Sequence, residues 1–267
     1  MYFQVNGHKT YCYTGGKPFE AAKPTVVFIH GVVNDHSVWI LQSRYLAHHG
    51  WNVLAVDLPG HCRSAGPPPA SVQDAAQFTI ALLDAAGVQN AALVGHSFGS
   101  LIALEAAAIA PARVSKLALV GTAAPMRVSA MLLELSQSQP VKALEMVNVF
   151  SRALLAAPPS ALGPGTWVYG SSMALGKRVI ASNTRHNLFH LGFAACDSYT
   201  GAEAAMAKAT CNVLFVLGAQ DQMTPPKAAQ GLIKAAKNAQ VATVGVGHHQ
   251  MTEAPEETLA ALRLFLN

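Results

Sequence analysis

Six stretches of the chain are short and continuously apolar: Thr25 to Ile29, Asn52 to Val56, Ala91 to Val94, Lys116 to Val120, Val213 to Leu217 and Val241 to Val244. A strand that is apolar on both faces needs cover on both faces, and a parallel sheet flanked by helices supplies it. Helical patterns of suitable length stand between the runs. Ser37 to His49 stops at Gly50, Ser71 to Ala86 opens with a Ser-x-x-Asp capping box and stops at Gly87, and Phe98 to Ala110 ends before Pro111. Alternation of this kind specifies an α/β chain with a doubly wound, mostly parallel sheet. At the N-terminus, Asn6-Gly7 is a type I′ turn signal between Tyr2–Val5 and Lys9–Tyr13, so a hairpin is expected along one edge of the sheet, making eight strands in all.

The alternation lapses from about 122 to 209, where helical patterns continue without a buried strand and Pro140, Pro158, Pro159 and Pro164 punctuate them. This segment reads as an inserted helical lid, with residues 1–121 and 210–267 as the core. Hydrophobic residues make up 51% of the 267 and charged ones 12%, enough apolar surface for one such core. The net charge of +4 is spread without a basic run, which excludes the electrostatic footprint of a nucleic-acid binder. The longest apolar window, Ala91 to Ala110, is broken by Gly95 and Gly99 and carries His96, Ser97 and Glu105, so no membrane span is expected. Cys12, Cys62, Cys196 and Cys211 lack CxxC spacing, and residues 1–6 lack the pattern of a secretory leader, so a cytoplasmic protein with reduced thiols is expected. Adjacent His48-His49 and His248-His249 pairs without a carboxylate cluster argue against a metal, and the lack of GxGxxG or a phosphate loop argues against a nucleotide cofactor.

The chemistry concentrates at Gly95-His96-Ser97-Phe98-Gly99, a GxSxG placed where a strand passes directly into a helix, as a nucleophile elbow requires. The bare pattern is weak and its strand-turn-helix setting is what makes it informative. A serine hydroxyl attacks only when a neutral imidazole takes its proton, and that imidazole needs a carboxylate to hold its tautomer. Asp221 and His248 each follow a strand at its carboxyl end, in the chain order Ser, Asp, His. His249 is the rival base, and Asp57 and Asp197 are rival acids.

The segments around these residues resemble the α/β-hydrolase fold serine hydrolases over nearly the whole chain. Phe28-Ile29-His30-Gly31 is similar to that family's oxyanion loop, Asp57-Leu58-Pro59-Gly60-His61-Cys62-Arg63-Ser64 to its signature after the next strand, Gly218 to Pro225 to its acid loop, and Gly247-His248 with Glu253 and Pro255 to its histidine loop. By that resemblance the backbone N–H groups of Val32 and Phe98 form the oxyanion hole, and the spacing from His248 to Glu253 and Pro255 favours His248 over His249. Cys62 and Ser100 stand where the family commonly has glycine.

Within the expected lid, Met126, Phe150, Trp167 and Phe189, with His30 and His249 from the core, are candidate substrate contacts. The expected reaction is hydrolysis of a small-to-medium hydrophobic carboxylic ester through an acyl-enzyme, with no cofactor. Lactone, thioester and carbon-carbon bond hydrolysis use the same triad and stay open, as does a non-catalytic ligand receptor on the same fold. Epoxide and haloalkane substrates are disfavoured because those relatives carry aspartate at the elbow. The oligomeric state is not legible.

Overall fold

The computed structural model describes residues 1–20, 22–153 and 168–267. Its core is a sheet of eight strands: β1 (Tyr2–Val5), β2 (His8–Tyr13), β3 (Thr25–Ile29), β4 (Asn52–Val56), β5 (Ala91–His96), β6 (Val114–Val120), β7 (Asn212–Gly218) and β8 (Ala239–Val244). They lie in the order β1-β2-β4-β3-β5-β6-β7-β8. All pairings from β4 to β8 are parallel, whereas β1 pairs β2 and β2 pairs β4 antiparallel. The β1–β2 register sets Val5 opposite Val5's turn partner His8, leaving Asn6 and Gly7 as a two-residue turn with φ of 49° and 79°. Positive φ at both positions is what a type I′ turn demands.

Side-chain alternation along the parallel strands explains the unbroken apolar runs. Val27 and Ile29 of β3, Leu93 of β5, Leu117 and Leu119 of β6 and Phe215 of β7 enter one cluster. Val26, Phe28, Val94, Val120 and Val216, their immediate neighbours in sequence, enter the other. The first layer is closed by α2 (Val72–Ala85) and α3 (Phe98–Ile109), with α8 (Ala202–Lys208) and α9 (Gln230–Ala235) beside them. The second is closed by α1 (Ile40–His48) and α11 (Pro255–Leu266), with the short α10 (Gln250–Glu253). Each fully buried large side chain, such as Phe28 or Phe215, contributes roughly 1.5–3 kcal/mol by leaving water. The capping box at Ser71 forms as its spacing implies, the Ser71 hydroxyl accepting from Asp74 N at 3.0 Å. β8 departs from expectation: as the edge strand it is mostly exposed, Val241 by 50%, because only β7 pairs with it.

Between β6 and β7 lie α4 (Ala130–Ser138), α5 (Pro140–Phe150), α6 (Val168–Ala181) and α7 (Leu188–Ser198), followed by α8. Packing divides this insertion. Leu144 of α5, Met173 and Val179 of α6 and Phe189 and Phe193 of α7 form a third cluster with Val33. The end of α7 and all of α8 instead join the main core through Ala195, Cys196, Ala205 and Met206. No helix among the described residues is long and apolar enough to cross a membrane.

Candidate active site

The carboxyl ends of β5, β7 and β8 meet at one cleft. β5 delivers Ser97, which links it to α3 with φ 53° and ψ −119°, and whose N–H donates to Val120 O at 3.0 Å. A non-glycine residue held at positive φ is strained and persists only where its surroundings impose the conformation. Here they do: a Cβ on Gly95 would lie 2.0 Å from Gly99 O, and one on Gly99 would lie 2.3 Å from Ile29 O. Both glycines of the GxSxG are therefore required by backbone approach. Ser100, at the position where glycine is common, is fully buried and uses its hydroxyl locally, on Ser97 O at 2.5 Å and Thr122 Oγ1 at 2.8 Å.

Asp221, in the turn after β7, is 4% exposed and saturated with donors. Its Oδ1 accepts from Met223 N and Thr224 N, both at 2.8 Å, and its Oδ2 from the Thr224 hydroxyl at 2.7 Å and from His248 Nδ1 at 2.8 Å. Burial alone would raise this carboxyl, but the charge of His248 and the hydrogen bonds from His248 and Thr224 outweigh it and hold Asp221 below the usual carboxylate range. His248 is thereby held with its Nδ1 on Asp221, and among the described residues its other ring nitrogen makes no hydrogen bond. Ser97 and His248 both line the cleft, and among the described residues no hydrogen bond yet joins them. Such contacts commonly tighten only when substrate binds.

Two residues outside the sequence reading support this pair. Thr224 bonds Asp221 and touches His248 Nδ1 at 3.0 Å. Its signal was an Asp-x-x-Thr spacing, in which the side chain of the first residue caps the turn. His96 donates from Nε2 to His248 O at 2.8 Å, its ring 4.7 Å from that of His248. Burial, assisted by the neighbouring His248, pushes His96 down to about 3, so it is neutral and cannot compete as a cation. No pattern in the sequence marks that role.

Val32 and Phe98, the expected oxyanion donors, lie at the cleft wall and at the start of α3 respectively. Phe98 is the first residue of α3, so its N–H has no carbonyl within the helix to meet, and its side chain points into the main core. Val32 lines the cleft and Val33 beside it is held at φ 56°, a second strained position in the same wall. The side chains of the rival acids are bonded elsewhere, while the rival base His249 shares the cleft. Asp57 accepts from His36 Nδ1 at 2.7 Å and from the N–H groups of His36 and Arg63, while Asp197 accepts from Val128 N. His249 lines the cleft, and its N–H donates to Glu253.

The substrate-contact candidates divide. Phe189 and His249 line the cleft. His30 does not: it is fully buried, donating from Nδ1 to Gly31 O and accepting Leu58 N–H on Nε2, which ties the Val32 loop to the next one. Met126 is in the main core, and Phe150 lines a separate groove. Trp167 lies outside the described residues. The cleft itself is a small cavity of about 50 Å³, with Leu144, Val147, Asn148, Ser172 and Phe193 of the insertion completing its walls. Across Val147 and Met223 it adjoins a groove of about 270 Å³ lined by Met131, Leu132, Met146 and Phe150.

Cys62 keeps the left-handed conformation, φ 45°, that glycine would adopt more readily, and burial pushes its thiol up to about 12, so it is no thiolate nucleophile. Asp35, His36 and Asp57 stand close enough to share a cation, but Asp35 is paired with Arg178 at 2.7 Å and Asp57 with His36.

The profile of the family described as "alpha/beta hydrolase fold" matches residues 24–255. The chain belongs to the α/β-hydrolase fold family. An epoxide hydrolase from Caballeronia sordidicola is 36% identical over 97 residues, which is 35% of this chain and 30% of that protein. This α/β-hydrolase chain thus spans less than a third of that curated relative. Two solved structures share its fold along essentially the full length. An esterase from Exiguobacterium antarcticum superposes with a TM-score of 0.83 at 19% identity, covering 99% of this chain and 98% of that one. An enol-lactonase from Burkholderia xenovorans LB400 gives 0.81 at 19%, covering 100% and 99%. At that identity the likeness establishes the α/β-hydrolase fold and nothing finer.

Proposed function

We propose that the chain is a serine hydrolase that cleaves small-to-medium carboxylic esters through an acyl-enzyme. The observation that carries this reading is the strained Ser97 at the elbow, in one cleft with a His248 whose Nδ1 is held by Asp221 at 2.8 Å. In the proposed reaction Ser97 Oγ attacks the ester carbonyl while His248 takes its proton. The oxygen that gains charge is held by Val32 and Phe98 N–H, aided by the positive end of α3. His248 then protonates the departing alcohol, and a water repeats the sequence to free the acid and restore Ser97. Loss of one oxyanion donor typically costs roughly 2.7–4 kcal/mol.

In this reading 122–209 is the lid over a core of 1–121 and 210–267, since α5, α6 and α7 wall the cleft. The tight cavity would take the compact part of the ester and the adjoining Met- and Phe-lined groove its more extended apolar part. A lactone is an internal ester open to the same chemistry, and the enol-lactonase neighbour keeps it in view. Epoxide opening by this route is disfavoured because residue 97 is serine rather than aspartate. Four free thiols suit a reducing, cytoplasmic setting.

The test is hydrolysis of p-nitrophenyl acetate, butyrate and octanoate by the wild type, Ser97→Ala and His248→Ala, with fluorophosphonate labelling of Ser97. Activity that collapses in both variants supports the triad. A wild type that neither hydrolyses nor labels refutes it and favours a receptor.

A further inference from the structure

The loop that carries Val32 is not held by the core alone. Val33, a β-branched residue, keeps φ 56°, and such a conformation persists only where its surroundings impose it. Those surroundings come from the insertion. Every other buried member of the Val33 cluster among the described residues belongs to α5, α6 or α7, with Leu144, Val179 and Phe189 the largest from each that are nearly or fully enclosed.

Two further contacts from the insertion hold the loop on either side of Val33. On α7, a Cβ on Gly192 would lie 2.9 and 3.0 Å from the two γ carbons of Val32, so the helix backbone rests on that side chain and glycine leaves it room. On α6, Arg178 Nη2 donates to Asp35 Oδ2 at 2.7 Å. Asp35 is buried, and its Oδ1 accepts from Ser37 N at 2.8 Å, which starts the helical turn His36–Trp39 after the loop. Within the loop, Asn34 Nδ2 donates to Val32 O at 3.2 Å. The opposite flank abuts the elbow, where a Cβ on Gly31 would lie 3.1 Å from Ser97 Cβ. A shift of the loop therefore changes where the Val32 N–H stands relative to Ser97.

We propose that the insertion sets the oxyanion hole: Gly192 of α7 and Arg178 of α6 are positioning residues that hold the Val32 N–H at the oxygen on which charge develops. The inference rests on the hydrolase reading and adds to it that α6 and α7 are a fixed part of the reacting frame as well as a cover over it.

The experiment measures kcat and KM on p-nitrophenyl butyrate, the rate of fluorophosphonate labelling of Ser97 and the melting temperature. The variants are Gly192→Ala, Val32→Ala, the two combined, Arg178→Met and Arg178→Lys. Gly192→Ala should lower kcat by about tenfold or more and leave KM within about twofold, because a displaced donor is felt by the developing oxyanion more than by the bound ester. Alanine suits a helix interior better than glycine, so a weakened α7 does not account for such a loss. In the Val32→Ala background, where the Val32 Cβ at 3.4 Å is the nearest atom left of that side chain, the same Gly192→Ala change should cost less than about twofold in kcat. Arg178→Met should lower kcat by roughly threefold or more at unchanged KM, with Arg178→Lys between it and the wild type. A Gly192→Ala enzyme with wild-type kcat, an equal loss in both backgrounds, or an Arg178→Met enzyme with unchanged kcat overturns the proposal. If Gly192→Ala does not fold, the Arg178 variants decide it: a lower melting temperature without a lower kcat marks the ion pair as structural only and overturns the proposal. If the wild type is inert towards the ester, labelling rates take the place of kcat, since the phosphonyl oxygen needs the same donors. A wild type that neither hydrolyses nor labels removes the hydrolase reading and the proposal with it, whereas failure among the variants of an active wild type leaves that reading standing.

Discussion

Replacing Asp221 by asparagine isolates the orienting function of the acid. Four donors converge on this carboxylate: two backbone N–H groups on Oδ1, and the Thr224 hydroxyl and His248 Nδ1 on Oδ2. Asparagine keeps one carbonyl oxygen, enough for Met223 N and Thr224 N, and the Thr224 hydroxyl can turn to accept. The amide nitrogen then faces His248 Nδ1, which must become an acceptor and send its proton to Nε2. An imidazole protonated there cannot take the proton of Ser97. The expected loss is about 10⁴ in kcat, equivalent to about 5.4 kcal/mol, with KM little changed. Asp221→Ala is a poorer probe, since it strands buried donors at roughly 1–3 kcal/mol each and confounds chemistry with folding. The assay is kcat and KM on p-nitrophenyl butyrate at pH 8, with circular dichroism as the check on folding. A folded Asp221→Asn enzyme within tenfold of wild-type kcat would refute the reasoning.

Two further outcomes are expected. His61 is buried, with its Nδ1 on Pro59 O, and burial followed by the neighbouring His30 lowers it to about 4. A folded value below the unfolded one near 6.5 means its stability contribution is complete above about pH 6.5 and is lost as pH falls towards 4, roughly 2 kcal/mol by pH 5. His61→Asn, which keeps a donor for Pro59, should therefore flatten the fall in melting temperature between pH 7 and 5, and an unchanged slope would count against this cause. Gly99→Ala places a Cβ 2.3 Å from Ile29 O and 2.7 Å from His30 O, backbone atoms that cannot swing aside. It should cost about 3 kcal/mol or more in urea unfolding, and a loss under 1 kcal/mol would show that the elbow can relax.

What the chain determined by itself is the frame and the places along it of the candidate triad. Apolar runs covered on both faces have one ready solution, a helix-flanked parallel sheet, and such a sheet brings the loops after its strands to a common edge. Ser97, Asp221 and His248 each follow a strand by a few residues, so local spacing was enough to bring them together. Thr224, which the sequence reading did not name, carried a local signal of the same kind in its spacing from Asp221. The tertiary structure alone decided what surrounds them. Phe150 and Phe189 are both aromatic residues of the insertion, yet one is half exposed beside a groove and the other is buried against the cleft. His30 and His96 are both histidines ending strands, but their partners, Leu58 and the carbonyl of His248, lie 28 and 152 residues away. Val241 belongs to an apolar run like the others, and only its place at the sheet edge exposes it. Spacing along a chain reports local geometry, whereas burial and pairing depend on contacts between segments that no local pattern encodes.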